Sequence, residues 1–205
     1  MSAELIYILS ALFGYFIGSI PFGLILTKMA GYGDIRKIGS GNIGATNVLR
    51  TGNKTLALLT VLFDASKAGI AAIIARAIFG EDVTNPVTVA LIAGACGVLG
   101  HNFPVWLKFK GGKGVASTFG FILATCWPVA VIALLVWLIM AFTFKYSSLS
   151  ALTAAIFVPV ASCFLAPSAE YTWFYLAIVL LVVARHHANI KRLLKGEESK
   201  IKLKK

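Results

Sequence analysis

Acidic side chains are the scarcest feature of this chain: 8 Asp and Glu stand against 19 Lys and Arg in 205 residues, and charged residues of both signs make up only 13%. Soluble domains carry about 25% charged residues. With 59% hydrophobic residues and a mean hydropathy of +0.86, the composition excludes a water-soluble domain and reads as an integral membrane protein. The shortage of carboxylates also argues against a metal centre. Asp64 is the one acid inside an apolar span, and Asp34 is the only other near the inner ends of the spans before the tail. No Mg²⁺ or Zn²⁺ site is expected, and phosphatidyl transfer that depends on several metal-binding aspartates is disfavoured. The 3 cysteines, Cys96, Cys126 and Cys163, lie singly in apolar stretches without metal or redox spacing, so they read as small packing thiols. No basic leader region with a small-residue cleavage site precedes the first apolar run, which reads as a retained span.

Nucleotide chemistry lacks its signature as well. Phe109-Lys110-Gly111-Gly112-Lys113-Gly114 is followed by Val115, which departs from the Gly-x-x-x-x-Gly-Lys-[Ser/Thr] spacing of a P-loop, and neither ATP nor any other cofactor is expected. The His-x-x-x-x-Asp pattern of one acyltransferase class is missing at His101, His186 and His187. A net charge of +11 raises nucleic acid as a partner. The basic residues are interrupted by long lipid-compatible runs, however, so an anionic membrane face and anionic substrates explain them better.

What the chain does contain is a series of apolar runs. Leu5–Thr27 is long enough to cross a ~30 Å hydrocarbon core at 1.5 Å per residue. Its Gly14 and Gly18 form a Gly-x-x-x-Gly face for close helix approach, and Pro21 predicts a broken turn whose carbonyls other groups must cover. Further spans are expected at 55–79, where Asp64 and Lys67 share a helical face and can pair, at 86–100, at 148–165 and at 171–184. From Gly114 to Phe144 there is no charge, which leaves one long helix or two spans broken near Cys126-Trp127-Pro128. The positive-inside rule chooses the break. It gives seven spans with the N-terminus outside and the C-terminus cytoplasmic, and it puts every Lys and Arg except Arg76 on the inside. Glu4, Glu81, Asp82 and Glu170 then fall outside. The fold expected is an all-α, seven-helix membrane protein. It forms a single membrane-embedded domain over 1–205, with a basic cytoplasmic tail over 191–205.

That threading gathers the polar islands at the cytoplasmic ends of spans. Gly39–Arg50 combines glycines with Ser40, Asn42, Thr46 and Asn47 and closes on Arg50. Backbone N–H groups in such turns form concave nests for anions, and the arginine adds a planar fork for phosphate. A Gly/Asn-rich loop taken alone more often just joins two helices. Lys110–Gly114 flanks flexible backbone with cations at the expected start of a helix, whose N-terminal partial charge also favours an anion. The plainer reading there is a basic loop touching lipid headgroups. His186 and Asn189 share a face if the last span continues, whereas His187 points elsewhere and reads as a surface or capping residue.

Together these blocks resemble one family, the bacterial membrane acyltransferases that use acyl phosphate to acylate glycerol 3-phosphate (the PlsY family). The resemblance covers nearly the whole chain: Gly18–Gly23, Asp34-Ile35-Arg36, Gly39–Arg50, Asp64–Gly69, Gly100–Pro104, Phe109–Gly114, Tyr146–Leu149 and His186–Asn189. Ala68 stands where the family has glycine in its Asp-x-x-Lys-Gly block.

The resemblance implies a seven-spanning, metal-independent enzyme of the bacterial inner membrane with its active site on the cytoplasmic side, acting on acyl phosphate and glycerol 3-phosphate among membrane lipids. No nucleic acid takes part. The oligomeric state is left open, and a monomer is compatible with it. Arg50, Lys113, Ser148 and His186 are expected to hold glycerol 3-phosphate, with His186 as candidate general base and Asn189 closing the site. Ser40, Asn42, Thr46 and Asn47 are expected to hold the acyl phosphate, with Ser40 counted among the catalytic residues. Gly41, Gly44, Asp64, Lys67, His101, Gly111, Gly112 and Gly114 complete the expected binding set. The competing class is a transporter of a small phosphorylated anion, which would need polar residues along a route to the far side. The outer halves of the spans lack them. A lipid-binding scaffold without chemistry is a third possibility.

Overall fold

The computed structural model describes residues 1–201; residues 202–205, the end of the expected basic tail, lie outside the described residues. Among the described residues the secondary structure is entirely helical. The chain divides into two compact units, Met1–Thr125 and Cys126–Lys205.

In the first unit, α1 (Ala3–Gly18) begins at Ser2, whose side chain accepts a hydrogen bond from the Leu5 N–H. It stops before Pro21, which has no N–H to donate and disfavours helix at Ile20. Helix α2 (Phe22–Met29) restarts immediately after the proline. Two short turns and the four-residue α3 (Ala45–Val48) lead to α4 (Lys54–Phe79), capped by the Asn53 side chain on the Leu56 N–H. Helix α5 (Pro86–Asn102) is capped by Asn85, with Pro86 at the first position, where a missing N–H costs nothing. Helix α6 (Val115–Thr125) closes the unit.

Helix α1 packs on α5, and α4 packs on both α5 and α6. The expected Gly14/Gly18 face is the α1–α5 contact: a Cβ on either residue would strike the carbonyl oxygen of Ala93 or Gly97. Four-residue spacing on both helices lets the backbones approach, which compensates for the lack of a hydrophobic drive between helices in lipid. The opposite side of α1 presents Leu5, Ile8, Leu12 and Phe16, all exposed, as an apolar stripe at helical spacing.

The second unit contains α7 (Trp127–Phe144), α8 (Ser147–Leu165), α9 (Ala169–Arg185) and α10 (His187–Leu194). Helix α8 packs on α7 and α9, and the short α10 rests on α8 and α9. The uncharged run is indeed broken: Cys126, at φ −152° and ψ 81°, separates α6 from α7.

Among the described residues, five helical segments are long and apolar enough to cross a membrane, and the α9–α10 pair, bent by 58°, makes a sixth if taken as one span. The seventh expected crossing corresponds to α6. Its 11 residues reach only about 16 Å, roughly half the hydrocarbon thickness.

Candidate active site

The first unit holds its polar loops on a buried framework that begins at the Pro21 break. Lys67 Nζ donates to the Ile20 carbonyl at 2.9 Å and lies 3.0 Å from Asp64 Oδ1. The same carboxylate oxygen is 3.6 Å from His101 Nδ1, and the Asp64 backbone carbonyl accepts the Ser117 hydroxyl at 2.7 Å. One polar chain therefore links the α1–α2 turn, α4, the end of α5 and the start of α6. Asp64, Lys67 and His101 are only 2%, 3% and 4% exposed. The pairing expected of Asp64 and Lys67 is present, but it lies in the interior.

His101 then supports the glycine loop. The N–H groups of Gly111 and Gly112 donate to the carbonyls of Asn102 and His101 at 3.2 and 3.0 Å, satisfying acceptors that a helix end leaves open. Gly112 has to be glycine here, because a Cβ would run into the His101 ring at Nε2. Lys113 is half-buried at the loop's end, and Gly114, at φ 84°, turns the chain into α6.

The Gly39–Arg50 loop has its own centre, and it is Asn47. This side chain is 2% exposed. Its Nδ2 donates to the carbonyls of Ile35, Ile38 and Asn42 at 2.9, 3.1 and 2.9 Å, while its Oδ1 accepts the Ser40 N–H at 3.0 Å. Asn42 makes a tight local turn by accepting the Gly44 N–H at 2.9 Å. Gly39 and Gly41 take φ values of 55° and 69°, a region glycine enters without strain. A Cβ on Gly39 would strike Asn47 Oδ1 and the Arg50 guanidinium, so Arg50 is folded over that glycine. Ser40, Gly41, Thr46 and Arg50 are exposed. At the loop's entrance Arg36 clamps Asp34 at 2.6 and 2.9 Å. That guanidinium holds the Asp34 carboxyl well below the usual carboxylate range. The clamp's contribution is thus complete above the ordinary carboxylate value and is lost only as pH falls through the depressed one.

In the second unit, the helical face expected for His186 and Asn189 is bent at His186 itself, which sits between α9 and α10. The ring is buried, with Nδ1 2.7 Å from the Val182 carbonyl. Asn189 and Ser148 are also buried, 5% and 6% exposed. Both donate to one oxygen of Glu198, Ser148 Oγ at 2.6 Å and Asn189 Nδ2 at 2.7 Å. Arg192 Nε holds the other oxygen at 2.6 Å. Burial pushes the Glu198 carboxyl up, but hydrogen bonds from Ser148, Asn189 and Arg192 outweigh it and hold the group below its ordinary value. It is charged at neutral pH.

A family model described as Glycerol-3-phosphate acyltransferase matches residues 8–196. The chain belongs to that family. It is 54% identical over 197 residues to the glycerol-3-phosphate acyltransferase of Rhodospirillum rubrum, covering 95% of this chain and 91% of that one. It is 55% identical over 193 residues to the Caulobacter vibrioides enzyme of the same name, covering 94% and 86%. Among solved structures it is similar to PlsY (YgiH), an integral membrane glycerol 3-phosphate acyltransferase, in its glycerol 3-phosphate form. That match has a TM-score of 0.86 and 37% identity, with 96% of each chain covered. The lysophosphatidic acid form of PlsY gives a TM-score of 0.83 and 36% identity, covering 96% and 95%. Glycerol-3-phosphate acyltransferase activity is the function this membership supports, in a multi-pass integral membrane protein.

For a glycerol-3-phosphate acyltransferase, the sequence reading missed some polar groups that the fold brings in. Asn102 is fully buried beside Gly114, and Ser117 ties α6 to α4. Asn102 lies inside the Gly100–Pro104 block without having been given a role, and Ser117 lies just beyond Lys110–Gly114, so membership of or proximity to a displayed motif was the available signal. Arg192 and Glu198 had only a weak one: a helix-ending glycine, Gly196, with acids just beyond it in a basic tail.

Proposed function

We propose that the chain transfers an acyl group from an acyl phosphate to the 1-hydroxyl of glycerol 3-phosphate, at the cytoplasmic face of a bacterial inner membrane and without a metal ion. The hydroxyl oxygen attacks the acyl carbonyl carbon, the bond from that carbon to the phosphate oxygen breaks, and the hydroxyl proton leaves to His186. Lysophosphatidic acid and inorganic phosphate are the products. A mixed anhydride is already activated, so positioning and electrostatic stabilisation supply most of the rate. The observation that carries this reading is the likeness, over nearly the full length, to an acyltransferase structure in its glycerol 3-phosphate form.

The roles follow each unit's geometry. In the first, Gly41 shapes the turn by donating its N–H to the Ile38 carbonyl at 3.0 Å, and the exposed hydroxyls of Ser40 and Thr46, with Arg50 folded over Gly39, suit an anionic headgroup. Asn42, Gly44 and Asn47 shape the backbone that offers them. Lys113 and the first turn of α6 that follows Gly114 suit a second anion. Asp64, Lys67 and His101 support these loops from below, a change from the substrate contact expected of them, because each is buried and paired. In the second unit, Ser148, His186 and Asn189 are assigned to glycerol 3-phosphate. Seven crossings, a single functional domain and the cytoplasmic C-terminus belong to the same proposal.

The donor is tested by giving purified protein acyl phosphate, acyl-CoA and acyl carrier protein in turn, each with glycerol 3-phosphate, and following lysophosphatidic acid. Product only from acyl-CoA or acyl carrier protein would end the acyl phosphate assignment. Charge-preserving Lys113→Arg should lower turnover on the order of 10²-fold, the scale of losing one positioned donor, because the two cations differ in shape and reach. Wild-type turnover in that variant would reduce Lys113 to a headgroup contact.

A further inference from the structure

Three side-chain donors meet at the carboxylate of Glu198. Ser148 Oγ, Asn189 Nδ2 and Arg192 Nε converge on it from α8 and α10 at 2.6, 2.7 and 2.6 Å, and its side chain is 7% exposed. Three hydrogen bonds to a buried anion, one of them from a guanidinium, make a built oxyanion seat. Two of its donors are the residues assigned above to glycerol 3-phosphate. Its present occupant is an acid from the chain's own tail.

The approach of that tail is specified as well. Helix α10 ends in a Schellman turn: Gly196, at φ 72°, donates to the Leu193 carbonyl, and Glu197 donates to the Arg192 carbonyl at 2.8 Å. This reverses the chain and carries Glu198 back over α10. Beyond it, Lys200 Nζ lies 5.6 Å above the Tyr146 ring, and the Ile201 N–H donates to the Lys145 carbonyl at 2.7 Å. The strap is held on both sides of the glutamate. The family match ends at residue 196, so Glu198 lies outside the family pattern, whereas Ser148, Asn189 and Arg192 lie inside it.

We propose that Ser148, Asn189 and Arg192 form the seat for the phosphate of glycerol 3-phosphate, and that Glu198 occupies this seat in the free protein and competes with the substrate. Arg192 is thereby a substrate-binding residue, and the tail is an internal stand-in for the substrate anion. The proposal rests on the transferase reading for the identity of the ligand. A carboxylate tethered two residues beyond Gly196 competes at a high effective concentration, so its removal lowers the apparent KM for glycerol 3-phosphate.

The test uses purified protein in lipid vesicles, comparing wild type, Glu198→Ala, Arg192→Ala and a chain ending at Gly196. Steady-state turnover with acyl phosphate should show KM for glycerol 3-phosphate falling roughly three- to tenfold in Glu198→Ala and in the shortened chain, the scale of a modest tether effect, with kcat unchanged. Arg192→Ala should raise KM. If shortening prevents folding, Glu198→Ala carries the comparison alone. A second readout needs no turnover: tryptic cleavage after Lys195 in the wild type should speed up with glycerol 3-phosphate or inorganic phosphate and not with glycerol. Unchanged KM in Glu198→Ala, together with cleavage indifferent to either anion, overturns the seat. No turnover in any form, with cleavage still accelerated by anions, overturns the transferase reading and leaves the seat standing.

Discussion

Replacing Lys67 by Met should lower stability by about 3–5 kcal/mol, the usual cost of removing one partner from a buried ion pair. The size follows from what the ammonium holds. It is 3.0 Å from Asp64 Oδ1 and donates to the Ile20 carbonyl at 2.9 Å, and its surroundings include the Phe22 ring at 5.9 Å. Without it, a carboxylate 2% exposed is left in the interior without its ammonium partner. The Ile20 carbonyl also loses its charged donor and keeps only the Phe22 N–H at 3.1 Å, which adds to the cost. The double variant Asp64→Leu with Lys67→Met removes both charges and should recover much of the loss, since apolar replacement of a whole buried pair is often neutral. Denaturant unfolding of the purified protein in mild detergent compares the variants. A single variant as stable as the wild type would show that the framework does not depend on the pair.

Much of this framework was legible in the sequence because its signals are local. The i, i+3 spacing of Asp64 and Lys67 predicts their contact, Pro21 predicts a broken turn, and Gly14 with Gly18 predicts a close helix crossing. Positive-inside counting places the break at Cys126–Pro128, where Cys126 separates the two helices. What stayed hidden involves partners far apart in the chain. Nothing local to His101 announces Asp64, and nothing near Ile20 announces Lys67. Asn47 looked like one more loop donor, yet its amide is consumed by backbone groups within the loop. The loop's own backbone needed those bonds more than a ligand did. The bend at His186 was hidden for another reason: apolar periodicity continues into α10 without a proline or glycine to mark the change of direction.

That bend also sets the expected behaviour of His186. The last four carbonyls of α9 have no helical N–H partners, and the Val182 carbonyl is taken by His186 Nδ1 at 2.7 Å. A carbonyl only accepts, so the proton of the neutral ring sits on Nδ1 and Nε2 keeps its lone pair. This is the tautomer a general base requires. His186→Ala should therefore lower kcat by about 10²–10⁴-fold, the range for a positioned base, with little change in KM for acyl phosphate. The acid limb of the pH–rate profile should disappear with the imidazole. His187 provides the internal control: its ring meets the Ala184 carbonyl at 3.1 Å from an exposed position, and His187→Ala should leave turnover within about twofold, as surface substitutions usually leave the fold undisturbed. A loss below tenfold in His186→Ala, with the acid limb intact, would mean that the substrate's own phosphate takes the proton. The imidazole would then serve only to close the bend.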